Sequence, residues 1–264
     1  MDWSWIGDGG GPIERVQNMN WVSRVGVKEE RKRLVTREPL PGPASLAGLA
    51  WLARVGPAPV EAWRSAMGWS LSVAGSHARR LEREGWLGRH RMTRGQGSLL
   101  VATRRGVRMS GLAVSAPAAP APTWWAHDCA CAWTAAWLAA RGREWRGPRE
   151  VLTDPRLKGE LEWITGNGRR RAGHRPDLAV VMPTGMVAIE VELQRKADNR
   201  LRAILRLYGQ WLSERRITGL IYVCRDEAGG ARIRESGAAA GLPEGGLRVE
   251  LLSTVQAQAQ GRSA

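Results

Sequence analysis

The chain has 264 residues, 43% of them hydrophobic, and a formal net charge of +15 carried almost wholly by arginine. That length holds one large domain or two small ones with ordinary cores, and the charge makes nucleic acid the leading partner, because guanidinium forks match phosphates and base edges. Three cysteines, two of them separated by a single residue, exclude a disulfide framework and suit a reducing, cytoplasmic compartment. No apolar run is long enough to span a bilayer and no leader pattern opens the chain, so no membrane partner is expected.

Residues 1–43 alternate charge with glycine and predict an irregular arm, with at most a short helix at 13–20. Residues 45–55 carry apolar side chains at the spacing of one helix face, and Pro57 and Pro59 end that helix. A second short helix follows at 60–67. A third, capped by Ser70 or Ser72, runs to Glu84 with Val73, His77 and Leu81 expected inward and Gly85 as its stop. Two short strands, Trp86–Met92 and Ser98–Arg104, then flank the turn TRGQG. The Pro/Ala run at 113–123 reads as a linker between two domains.

Three helices followed by a basic hairpin, with Leu81, Glu84-Gly85-Trp86-Leu87 and Thr103-Arg104-Arg105-Gly106 in place, resemble the winged helix-turn-helix superfamily over residues 44–112. The resemblance implies double-stranded DNA as partner, with the third helix in a major groove and the hairpin on the backbone. This segment holds 11 arginines against three glutamates. The residues expected on DNA are Ser72, Ser76, Arg79, Arg80 and Arg83 from the helix and Arg89, Arg91 and Arg94 from the hairpin. Such modules also serve in protein contacts, which leaves a homodimer open.

Beyond the linker, residues 124–255 predict an α/β domain: a helix at 125–140, a strand or turn within 144–152, and a Gly/Arg-rich loop. Strands at 178–182 and 186–193 follow, then a helix at 194–214, a strand at 219–224, a weak helix near 231–240 and a strand at 247–252. Residues 256–264 read as a disordered tail. Alternation places Glu190 and Glu192 on one strand face, and the hairpin brings Asp177 beside them. Three converging carboxylates call for a cation, and clustered oxygens suit Mg²⁺ or Mn²⁺. Lys196 and Arg200 are placed to reach back over the acids, while Arg170, Arg171 and Arg175 enter the site from the basic loop. Cys129 and Cys131 beside His127 and Asp128 raise zinc, but the segment reads as a helix with no second ligand pair at zinc-site spacing.

Pro176-Asp177 before one strand and Glu190-Val191-Glu192 on the next resemble the PD-(D/E)XK nuclease superfamily. Glu192 stands where a lysine is usual, and Lys196 is the candidate replacement. The resemblance implies that Asp177 and Glu190 hold the metal with the Val191 carbonyl, that Glu192 is a third ligand or base, and that Lys196 positions water and phosphate. His174 is a candidate general base or phosphate contact, Glu144 and Glu150 are candidate further ligands, and Tyr208 belongs with the core stripe Ala197, Leu201, Ile204, Leu205 and Trp211. Taken with His127 and the His174-to-Asp177 stretch, residues 44–255 resemble the actinobacterial plasmid replication-relaxation family. That implies a role in replication or mobilisation of a plasmid or mobile element, with other replication or conjugation proteins as partners. The reading is then of a winged-helix domain followed by a PD-(D/E)XK-like α/β domain with a central mixed sheet. Two alternatives stay open: an inactive accessory factor on a degenerate nuclease fold, and an adaptor using Trp3, Trp5 and Trp21.

Overall fold

The computed structural model describes Trp3 and residues 40–91 and 97–261. The predicted helix at 13–20, Trp5, Trp21, the hairpin tip with Arg94, and residues 262–264 lie outside the described residues. The protein is mixed α/β, with a mixed central sheet. Among the described residues no helix is long and apolar enough to cross a membrane.

The first part is built from helices α1 (Pro43–Val55), α2 (Val60–Met67) and α3 (Leu71–Arg83), the strand pair β2 (Leu87–Arg91) and β3 (Ser98–Ala102), and helix α4 (Arg104–Ser110). A two-residue strand β1 (Ala58–Pro59) pairs antiparallel with β3, making a three-stranded sheet in the order β1-β3-β2. Ser70 caps α3, its side chain accepting from the Val73 N–H at 3.2 Å. Ala74, Ala78 and Leu81 form the inward face of α3. Val73, expected inward, is instead 43% exposed, because the helix turns its small residues toward α1 and α2 and its branched one outward. His77 lies at the boundary, stacked on Trp69 with ring centroids 4.3 Å apart and hydrogen-bonded to Ser45 Oγ at 2.7 Å.

The second part opens with α5 (Trp125–Ala140), followed by strand β4 (Trp145–Arg146) and a one-turn helix α6 (Pro148–Val151). Strands β5 (Gly159–Thr165) and β6 (Gly168–His174) form a separate antiparallel hairpin. The rest comprises β7 (Leu178–Met182), β8 (Gly185–Glu192), α7 (Asp198–Ser213), β9 (Gly219–Cys224), α8 (Glu227–Ala239), β10 (Leu247–Leu251) and α9 (Leu252–Ala259). The central sheet has the order β10-β9-β8-β7-β4, with β8, β9 and β10 parallel and β7 and β4 antiparallel to their neighbours.

Alternation sorts this sheet into two layers. Leu178, Val180, Ile189, Val191, Ile221 and Val223 pack toward α5 and α9, whereas Ala179, Ala188, Leu220, Tyr222 and Cys224 pack toward α7 and α8. Three expectations change here. Arg170 and Arg171 stand on strand β6 rather than in a loop, since the β5–β6 ladder is continuous over seven residues. Lys196 precedes α7 instead of lying on it. Residues 256–259 belong to helix α9, where Val255 and Ala259 are buried against α5 and Gln258 accepts hydrogen bonds from Trp137 Nε1 at 2.9 Å and Arg141 at 2.7 Å.

The two parts share one hydrophobic core. It runs without a break from Leu49, Leu52 and Trp63 through Ala132 and Trp137 of α5 to Ile189 and Val255. Arg54 of α1 crosses the junction, pairing with Glu150 of α6 at 2.7 Å, donating to the Trp145 carbonyl and lying 4.4 Å over the Trp145 ring. The Pro/Ala segment is tied down as well: Arg149 donates to the Ser115 carbonyl at 2.9 Å and the Ala116 carbonyl at 3.1 Å.

Candidate functional site

Asp177 immediately precedes β7, and its N–H donates to the Ile189 carbonyl at 2.9 Å, which sets it beside Glu190 on the neighbouring strand. Its Oδ2 accepts the Val191 N–H at 2.8 Å, and its Oδ1 lies 3.2 Å from Nε2 of His127 on the first turn of α5. One helical turn further along α5, Cys131 Sγ is 3.6 Å from His127 Nδ1 and 3.9 Å from Nε2. The i, i+4 spacing puts both side chains on the same helix face.

Glu190 is only 3% exposed. Its Oε1 faces His174 Nε2 at 3.1 Å and accepts the Tyr208 hydroxyl, while His174 Nε2 and the Tyr208 oxygen are themselves 3.1 Å apart. Burial favours the neutral acid, but the charge and hydrogen bond of His174, the charge of Lys196 and the Tyr208 hydroxyl outweigh it and hold the Glu190 pKa below the usual carboxylate range. Tyr208, packed in the core as its helix stripe predicts, also supplies the hydroxyl that keeps this buried carboxylate ionised. Burial together with the neighbouring Glu190 charge pushes its own phenol well above its ordinary value.

Glu192 closes on Lys196, four residues away. Burial nevertheless raises its pKa, the lysine only opposing that shift. The other site expectations fare variously. Arg200 lies 5.7 Å over the Trp163 ring of β5 rather than over the acids. Arg171 pairs with Glu162 at 2.9 Å, and Arg170 is exposed on the outer hairpin. Glu150 is engaged by Arg54, so it is not a further ligand. Arg175 does reach the site, lining a cleft beside Asp177.

Each of these carboxylates has its own protein partner: Asp177 the Val191 N–H and His127, Glu190 His174 and Tyr208, and Glu192 Lys196. Among the described residues the set of three with ligand atoms all within 4.8 Å of one another is His127, Cys131 and Asp177. This grouping was beyond sequence reasoning. The His127–Cys131 pair was legible, but its third member, Asp177, comes from the residue before β7, far along the chain.

His127, Asp128, Cys131 and Asp177 border a cleft of about 620 Å³ that is also lined by Trp124 and Arg175. Burial opposes a charged His127, yet the hydrogen bond to Asp177 and the charges of Asp177, Asp128 and Glu190 prevail and raise its pKa. Burial lifts Asp128 to about 6 despite the opposing His127 charge, and burial, followed by the charges of Asp177, Asp128 and Glu190, drives the Cys131 thiol well above its ordinary value.

On the first part of the molecule, α3 turns Leu71, Ser72, Val73, Ser76, Arg79, Arg80 and Arg83 to solvent. Ser76 Oγ donates to the Ser72 carbonyl at 3.0 Å and accepts from Arg79 at 3.3 Å. Arg91 is exposed at the end of β2, whereas Arg89 is held by Glu82 at 2.7 Å and Ser98 at 3.0 Å.

No protein-family model and no curated protein matches the sequence. Among solved structures, the chain is similar to the crystal structure of protein VC1899 from Vibrio cholerae, with a TM-score of 0.32 and 10% identity over 84% of this chain and 56% of that one. The chain thus spans little more than half the length of that protein, and a likeness at this level carries no argument about fold or function.

Proposed function

We propose that the protein binds double-stranded DNA through its first part, read as a winged helix, with α3 in the major groove and the β2–β3 hairpin against the backbone. The observation that carries this is the outward face of α3: a capped helix whose first turns expose Leu71, Ser72, Val73 and Ser76 and whose last turns expose Arg79, Arg80 and Arg83. Apolar and hydroxyl groups near a recognition helix's start suit base edges, including the thymine methyl, and arginines beyond them suit phosphates. The test is fluorescence anisotropy on duplex DNA from low to physiological salt. The affinity of the wild type should fall steeply with salt, and Arg79→Ala with Arg83→Ala should reduce the slope by about 1 for each phosphate that is no longer neutralised. Equal affinity and slope in both proteins would overturn the assignment.

A second reading, hydrolysis of DNA by the PD-(D/E)XK-like second part, is favoured by the placement of Asp177 beside Glu190 on adjacent strands with Lys196 at Glu192. The separate pairing of each acid favours the alternative, an accessory factor in plasmid or mobile-element replication or mobilisation that holds DNA without cutting it. Supercoiled plasmid incubated with Mg²⁺ or Mn²⁺ decides between them. Nicking by the wild type and not by Glu190→Ala establishes hydrolysis; intact plasmid in both, with a gel shift at the same concentrations, leaves binding alone.

A further inference from the structure

We infer that His127, Cys131 and Asp177 form a site for one borderline divalent metal ion, zinc being the best match, with a fourth position facing the cleft. The proposal goes beyond the DNA-binding reading and does not depend on it.

Two ligand atoms bound to one tetrahedral zinc sit about 3.3–3.6 Å apart, given bonds of about 2.0–2.3 Å. His127 Nε2 is 3.2 Å from Asp177 Oδ1 and 3.9 Å from Cys131 Sγ, and the three ligand atoms all lie within 4.8 Å of one another, so the group is close to that spacing and contracts on binding. An ion there replaces the proton shared by His127 and Asp177, and because Cys131 Sγ lies nearer Nδ1 than Nε2, the cysteine side chain must turn toward Nε2 to complete the set. The three side chains come from two elements that the core locks together, α5 and the start of β7.

Asp177 is also oriented for the task. Its Oδ2 is taken by the Val191 N–H, which leaves Oδ1 directed at His127. An outer-shell hydrogen bond of this kind fixes a ligating carboxylate and selects the oxygen that binds. Charge is matched as well: a thiolate and a carboxylate cancel the charge of a divalent ion, which a half-buried site tolerates far better than a net charge. Asp128 and Glu190 add a negative field around the same residues. The donor set, one nitrogen, one sulfur and one oxygen, selects a borderline metal over Mg²⁺, which prefers oxygens alone. Three protein ligands beside a cleft of about 620 Å³ correspond to the open arrangement in which water or a ligand occupies the fourth position.

The proton balance is explicit. Binding displaces the proton of the Cys131 thiol, and that of His127 when it is charged, to solvent, so affinity increases with pH and metal uptake releases up to two protons.

The experiment uses untagged full-length protein stripped with a chelator and titrated with Zn²⁺ by calorimetry, and with Co²⁺ by absorption. One equivalent should bind, with a thiolate-to-cobalt charge-transfer band in the wild type. Cys131→Ser should abolish that band. Cys131→Ser, His127→Gln and Asp177→Asn should each weaken Zn²⁺ by more than the roughly 10–100-fold that loss of an outer-shell partner costs. Asp177→Asn retains an acceptor for the Val191 N–H, and circular dichroism verifies that each variant is folded. Cys129→Ser, on the same helix but outside the group, should bind as the wild type does. Uptake below one equivalent, absence of the thiolate band in the wild type, or undiminished binding by folded Asp177→Asn would overturn the proposal and leave a hydrogen-bonded His–Asp pair. Duplex affinity, read separately, reports on α3 and stands or falls independently.

Discussion

Tyr208 and Glu190 show how a buried charge is retained at the scale of single residues. The carboxylate is almost fully removed from water and is held ionised by a histidine and a phenol that converge on the same oxygen. Tyr208→Phe removes one of the two donors with little change in packing volume, and should cost about 1.5–3 kcal/mol, the range for a hydrogen bond to a charged group; urea unfolding with unchanged m-value would establish it. His77 offers a test in pH. Burial, then the charge of Arg80, lowers its pKa below 6.5, so between the native and unfolded values the unfolded chain binds more protons and stability rises with pH. The melting temperature of the wild type relative to His77→Gln should therefore fall as the buffer is taken from about pH 7.5 to about pH 5.5, with no change above that window. The acids and Lys196 were legible in sequence because strand alternation is a local rule. The partners of Asp177 and Glu190 were not, because His127, His174 and Tyr208 approach from three different elements.

Element by element, a local pattern proved readable when its physical cause was short-range. The stretch from Glu84 to Leu87 and the segment at Thr103 to Gly106 form one interlocked corner. Gly85 takes a positive φ of 72°, Thr103 donates to the Gly85 carbonyl at 2.8 Å and accepts from the Gly106 N–H at 3.0 Å, and Trp86 is fully buried beneath them. A Cβ on Gly106 would sit 2.0 Å from the Trp86 carbonyl oxygen. Gly106→Ala must push α4 off this corner and should cost about 1–3 kcal/mol by overpacking, measurable as a lower denaturation midpoint. The β5–β6 hairpin escaped sequence reading because β6, GRRRAGH, has no alternation to reveal it; only its pairing with β5 makes it a strand. Helix α9 escaped for a related reason: its small and amide side chains carry little periodic signal, and contact with α5 stabilises it.

The molecule as a whole differs from two beads on a string. The Pro/Ala run reads as a linker at the boundary between two domains, and in the structure one hydrophobic core and the Arg54 contacts run across that boundary. Composition reveals the connecting segment, whereas the matching of α2 to α5 depends on surfaces that only folding brings together. Calorimetry should accordingly show one unfolding transition. Arg54→Ala should lower stability by about 1–3 kcal/mol, since it removes the charged hydrogen bond across the junction while Glu150 keeps Arg146 at 3.6 Å and the Gly147 N–H at 2.9 Å.

This union bears on any DNA the protein holds. With α2 packed on α5 through a continuous core, α3 and the cleft at Asp177 belong to one packed body. On the proposed DNA-binding reading the protein would act as a ruler: the stretch of duplex between a groove entered by α3 and the mouth of the cleft would be measured in fixed base pairs, and a protected region mapped nucleotide by nucleotide should end at one constant phase of the double helix.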